Sequence, residues 1–170
     1  MNLVTERTDV EKLRRCGLIV ADMLDRLCAE VKVGVTTQAL DDLAGKMIAD
    51  AGALSAPRKV YNFPGNICLS LNDEAVHGIP GPRLIQPGDV VKVDVTVESE
   101  GWITDACRTV LVDPVSPQAS ALARCSETAL IKALSLARHG RAIWELGLAI
   151  ETVVKKSGFK VLRQLCGHGV

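Results

Sequence analysis

Residues 87–112 read PGDVVKVDVTVESEGWITDACRTVLV. Val91, Val93, Val95 and Val97 alternate with polar residues, the period of a strand with one buried face. ESEG at 98–101 interrupts the alternation, and a second run of strand formers follows, so the segment predicts a β-hairpin. A loop centred between Ser99 and Glu100 sets Asp94 directly opposite Asp105. Such cross-strand partners hold their Cβ atoms about 4.5–5.5 Å apart on one face. Facing carboxylates repel, and a divalent cation would remove that repulsion, since hard oxygen donors suit several such ions. A solvated polar face is the alternative that the hairpin alone leaves open.

Helices flank this hairpin on both sides. Thr8 and Glu11 have capping-box spacing. Val10, Leu13, Gly17, Val20, Leu24, Leu27 and Val31 then recur every three or four residues, which predicts a helix over about 9–30. After Gly34 a second helix runs from Thr36 or Thr37 to Ala51 and stops at Gly52. Residues 55–65 read as loop, with Pro57, Pro64 and Gly65, and NICLSLN at 66–72 reads as a short strand. Beyond the hairpin, Ser116 and Pro117 are a cap and a first helical residue. Leu122, Cys125, Ala129, Ala133 and Leu136 form that helix's apolar face, and Gly140 ends it. A fourth helix covers about Ile143–Ser157, ended by Gly158. Adding 106 to the numbering carries the first helix pair onto the second: Gly34 falls on Gly140, Leu40 on Leu146 and Gly52 on Gly158. This predicts a duplicated unit, with a first half over 1–112 and the start of a second over 113–170.

The chain has 170 residues, 48% hydrophobic and 24% charged, enough for one folded domain. Aromatic residues make up only 3%, so the core must be aliphatic. Twenty basic residues balance twenty acidic ones, which argues against nucleic acid or an anionic membrane as partner. The N-terminal stretch is charged, without a signal segment, and no run approaches the ~20 apolar residues of a membrane span. Six cysteines without a CxxC pair fit the reduced thiols of a cytoplasmic protein.

Two histidines invite a chemical reading. His168 stands between glycines, which let the backbone approach a crowded site closely. His77 precedes an Ile-Pro-Gly turn. Each also has an ordinary turn or loop reading. His139, at a predicted helix C-terminus, is explained by the partial negative charge there.

Four stretches, YNFPGNICLSLNDEAVHGIPG, GDVVKVDVTV, GWITDACRTVLV and CGHGV, together resemble the type I methionine aminopeptidases. The resemblance runs from the first helix to the last residue. It implies an α+β pita-bread fold, two pseudo-symmetric halves around a two-metal site, with the second half incomplete in this chain. It also implies removal of the initiator methionine from new polypeptides whose second residue is small, with the ribosome as a potential partner. Asp94, Asp105 and His168 match the family's metal ligands, and His77 matches its catalytic, substrate-binding histidine. Phe63 and Cys68 match positions that line the pocket for the methionine side chain. Val60 stands where an aromatic residue is usual, and Pro57 where many members have cysteine. The ions would be Co, Mn, Fe or Zn; Asp and His ligands do not choose among them. The family's two glutamate ligands and second histidine have no counterpart here, so an incomplete chain with little or no activity is expected. A binding module that has lost its metals, and a proline-specific peptidase of the same fold, are the alternative functions. Retention of Asp94, Asp105 and His168 speaks against the first, and Val-His-Gly-Ile-Pro against the second.

Overall fold

A computed structural model describes residues 3–170. They divide into two compact units, one running up to Val115 with Val170 added, the other Ser116–Gly169.

The first unit is a four-stranded antiparallel sheet with helices on one face. Helix α1 is Arg7–Ala29 and α2 is Thr37–Asp50. A two-residue strand β1 (Leu54–Ser55) leads into a short helix α3 (Ala56–Tyr61), and β2 (Cys68–Leu71), β3 (Val90–Ser99) and β4 (Trp102–Leu111) follow. Strand β3 is central. It pairs with β4 along its whole length on one edge, and on the other with β2 at Val91–Asp94 and β1 at Val97–Glu98. Val91, Val93, Val95 and Val97 are fully buried among Val20, Met23, Leu27, Leu40 and Ala44. The opposite face of β3 carries Lys92, Asp94 and Thr96 and is only half-buried.

Three details differ from the sequence reading. The hairpin loop is two residues, Glu100 and Gly101, with φ of 53° and 81°. Both residues left-handed is the type I′ geometry, whose twist matches that of the strands. The register therefore pairs Asp94 with Cys107 and Thr96 with Asp105, not Asp94 with Asp105. The α1 cap is Glu6, with Asp9 completing the box, two residues earlier than the Thr8–Glu11 pair. Asp9 accepts from the Thr5 and Glu6 N–H groups, each at 3.0 Å, because Thr8 already lies within the first turn. The stretch read as loop over 55–65 contains α3. Ser55 caps it by accepting from the Arg58 N–H at 3.4 Å, and Pro57 suits the first turn.

In the second unit, helix α4 (Pro117–Leu136) packs against α5 (Ile143–Lys156). Ser116 caps α4 through Oγ, 3.1 Å from the Ala119 nitrogen. The bounds of α5 are those of α2 displaced by 106, and the two helices end alike. Ala53 N–H donates to Ile48 O and Phe159 N–H to Val154 O, both at 3.0 Å; Gly52 donates to Ala49 O and Gly158 to Lys155 O. These are Schellman closures, with Gly52 and Gly158 at φ of 61° and 80°.

Candidate active site

The polar face of the sheet is where the chemistry gathers. Asp94 on β3 lies in one row between Cys68 on β2 and Cys107 on β4. Asp105 stands one row further along, opposite Thr96, whose hydroxyl donates to its Oδ1 at 2.8 Å. Residues two apart on a strand share a face, so both carboxylates point from the same side of the hairpin, as diagonal neighbours. Burial pushes the Cys68 thiol up to about 11, with Asp94, Asp105 and Asp41 adding to it. Desolvation and then the same two carboxylates, Asp94 and Asp105, hold Cys107 up at about 12. Cys107 is nevertheless exposed as a residue, so surrounding water moderates that effect. Beside Asp94 along β3, Lys92 donates to the Asn72 carbonyl at 2.9 Å, and burial lowers its pKa.

Two loops are fastened at the free edge of β2. In the first, Gly78 O accepts from the Leu69 N–H at 3.0 Å, and the Gly78 N–H donates to Ser70 Oγ at 2.9 Å. There is no room for a side chain at Gly78, since a Cβ would lie 2.2 Å from Leu69 O. His77, just before it, is exposed and held at φ 58°. The far end of this loop is tied to α2, where the Thr37 hydroxyl both donates to Gly81 O (3.0 Å) and accepts from the Gly81 N–H (2.9 Å).

The second loop, Asn62–Ile67, is tied to α2 one helical turn on. Asp41, 3% exposed, accepts from the Asn66 N–H at 2.7 Å and the Ile67 N–H at 3.0 Å through Oδ1, and from Asn66 Nδ2 at 3.0 Å through Oδ2. Burial pushes its carboxyl above the ordinary range; the N–H donors oppose this without cancelling it. The loops touch where Gly65 meets Pro80. Phe63 is half-buried in this loop, and Cys68, which follows it, is buried. Val60 is exposed on α3.

His168 lies in the second unit, exposed, with Nδ1 3.1 Å from the Gly169 carbonyl oxygen. Among the described residues no group of three or more His, Cys, Asp and Glu side chains is arranged to hold a metal ion. Asp94 and Asp105 form a two-carboxylate set on one face, and hard oxygen donors of this kind fit part of the shell of a divalent cation.

Thr37, Asp41, Asn66 and Gly78 escaped the sequence reading. Asp41 left a signal. It falls in the buried stripe of α2 with Thr37, Leu40, Ala44 and Ile48, and a buried carboxylate must find donors.

Comparison with known proteins follows the same lines. Residues 11–170 match the metallopeptidase family M24. The chain is 36% identical over 168 residues to methionine aminopeptidase B of Synechocystis sp., covering 95% of this chain and 61% of that protein. It is 35% identical over 170 residues to methionine aminopeptidase 2 of Bacillus subtilis, covering 99% and 68%. The crystal structure of methionine aminopeptidase from Rickettsia prowazekii superposes with a TM-score of 0.94 at 34% identity, covering 100% of this chain and 68% of that one. The chain thus has the pita-bread fold and spans roughly two thirds, or slightly less, of the length of these relatives. With a family match over residues 11–170 and relatives alike across nearly all of it, the chain belongs to metallopeptidase family M24, on its methionine aminopeptidase branch.

Proposed function

We propose that this chain carries part of the active site of a cytoplasmic methionine aminopeptidase that removes the initiator methionine from peptides with a small second residue, nascent chains at the ribosome among them. The observation that carries this reading is the placement of Asp94 and Asp105 on one face, beside a strand whose free edge holds the His77 loop. Asp94 and Asp105, with His168, are the ligands proposed for two divalent ions drawn from Co, Mn, Fe and Zn. Bound there, such ions would supply Lewis acidity toward the scissile carbonyl. His77 is proposed to hold the substrate beside the scissile amide and to handle a proton there. Its loop is anchored by Gly78 and Gly81, so the imidazole needs little reorganisation to act. Phe63 and Cys68 are proposed to receive the methionine side chain.

The test uses the chain completed to the length of its relatives, loads it with Mn or Co and follows methionine release from a Met-Ala-Ser peptide; residues 1–170 alone should release little or none. Release should be abolished by a chelator. His77→Ala should lower turnover by roughly 10²–10⁴-fold, the usual worth of a positioned proton-handling group, with metal content unchanged. Asp94→Asn and Asp105→Asn should each lower metal content. Wild-type turnover in His77→Ala, or full metal uptake in both aspartate variants, would overturn the assignment.

A further inference from the structure

Asn66 has every polar atom engaged. Its N–H donates to Asp41 Oδ1 at 2.7 Å. Its side-chain amide donates to Asp41 O at 3.1 Å and to Asp41 Oδ2 at 3.0 Å. Its Oδ1 accepts from Arg58 Nη1 at 3.0 Å, and its carbonyl accepts from Ser55 Oγ at 2.7 Å. One residue thereby joins β1, α2, α3 and the start of β2. The fit is close on the helix side as well. A Cβ at Gly45 of α2 would lie 2.7 Å from Asn66 Nδ2, and one at Gly65 would lie 3.1 Å from Asp41 Oδ1.

Two residues beyond Asn66, Cys68 leaves the helical core. Ile67, Leu69 and Leu71 belong to the core cluster, whereas Cys68 is paired with Asp94 on the polar face, yet it is only 6% exposed. Three residues before Asn66 stands Phe63. The backbone joining the two proposed pocket residues therefore passes through a position clamped by three elements, α2, β1 and α3. Fixed hydrogen-bonding of this kind is how a supporting shell sets the separation of the groups it carries.

We propose that Asn66, held by Asp41, is a positioning residue for the side-chain pocket: it fixes Phe63 and Cys68 to one another and so sets the preference for methionine. The selectivity part rests on the aminopeptidase reading above; the positional part does not.

The experiment uses the chain's own cysteines as reporters. Asn66→Asp keeps the residue's shape and its backbone bonds but turns a carboxylate oxygen toward the Asp41 carboxylate. Asn66→Ala removes the side chain. Each variant and the wild type are labelled under native conditions with iodoacetamide, and every cysteine is read by mass spectrometry. Exposed Cys166 is the reference, and Cys16, at 0% exposure in the first unit's core, reports global opening. Cys68 labelling should rise roughly tenfold or more in both variants while Cys16 stays protected, the signature of local rather than global opening. In a second arm the Mn-loaded protein is labelled with L-methioninamide or L-alaninamide present. Methioninamide should protect Cys68 better in the wild type, and that preference should vanish in Asn66→Asp. A merely structural role would leave the preference intact. Unchanged Cys68 labelling in both variants overturns the proposal. So does labelling of Cys16 in step with Cys68, since Asn66 would then hold the fold rather than the pocket. Exposure of Cys68 in the variants without any methioninamide protection in the wild type supports the positional role and overturns the methionine reading with its selectivity claim.

Discussion

Gly78→Ala puts one carbon where β2 leaves no space. Its Cβ would lie 2.2 Å from Leu69 O and 2.7 Å from both Leu69 C and Ser70 Cα. All three are backbone atoms of a strand already paired with β3, so the strand cannot recede and the loop must. Moving the loop breaks the Leu69 N–H to Gly78 O bond and the Gly78 N–H to Ser70 Oγ bond. Two such bonds are worth about 1–3 kcal/mol together, and a Leu69 amide left without a partner adds about 1–3 kcal/mol unless water reaches it. The expected loss is about 2–6 kcal/mol, a large share of a typical domain's 5–15 kcal/mol. Urea denaturation should register it, and amide exchange should localise it. The Leu69 amide should exchange fast while those of Val91 and Val93 keep their protection. Gly81→Ala in the same loop is the control. A Cβ there meets nothing within 4 Å, so its effect should stay within about 0.5 kcal/mol. If Gly78→Ala matched that control and Leu69 stayed protected, the anchoring of the His77 loop by β2 would be refuted.

Two further outcomes follow from the same geometry. Burial holds the Cys68 thiol at about 11 against an ordinary 9.0, so the contribution from keeping it neutral is fully present below pH 9 and is lost as pH rises toward 11. Wild-type stability should fall more steeply than that of Cys68→Ala across that window, and parallel curves in urea denaturation would contradict this. Gly101→Ala forces a side chain onto φ of 81° in the hairpin turn and should lower stability by about 1–2 kcal/mol, whereas an unchanged urea midpoint would show that the turn relaxes.

The sheet was legible because the valines of β3 alternate without a break and one sheet face is apolar. The register was not. ESEG permits several loop lengths, and only the left-handed pair Glu100–Gly101 selects the two-residue turn that moves Asp94 from Asp105 to Cys107. The helices were legible from periodicity, and Ser116-Pro117 from cap chemistry. Ser55 and Pro57 carry a similar signal for α3, hidden by prolines and a glycine close behind. Asp94 and Asp105 could be found from local pattern together with resemblance. The clamp around Asn66 could not, because Asp41, Ser55 and Arg58 are brought to it by three different elements. Such partners are fixed by tertiary packing and leave no common spacing in the chain.

Thr37 and Asp41 stand four residues apart on α2, about 6 Å along its axis. One helix thus grips the His77 loop at Gly81 and the Phe63 loop at Asn66. Thermal rocking of that helix is common-mode for the two loops: both are carried in the same direction, and the gap between them changes far less than either position. A ligand spanning the loops would therefore meet a nearly constant aperture on a moving mount. Vibration that would blur two independently tethered loops is rejected here in the way a differential pair rejects shared noise.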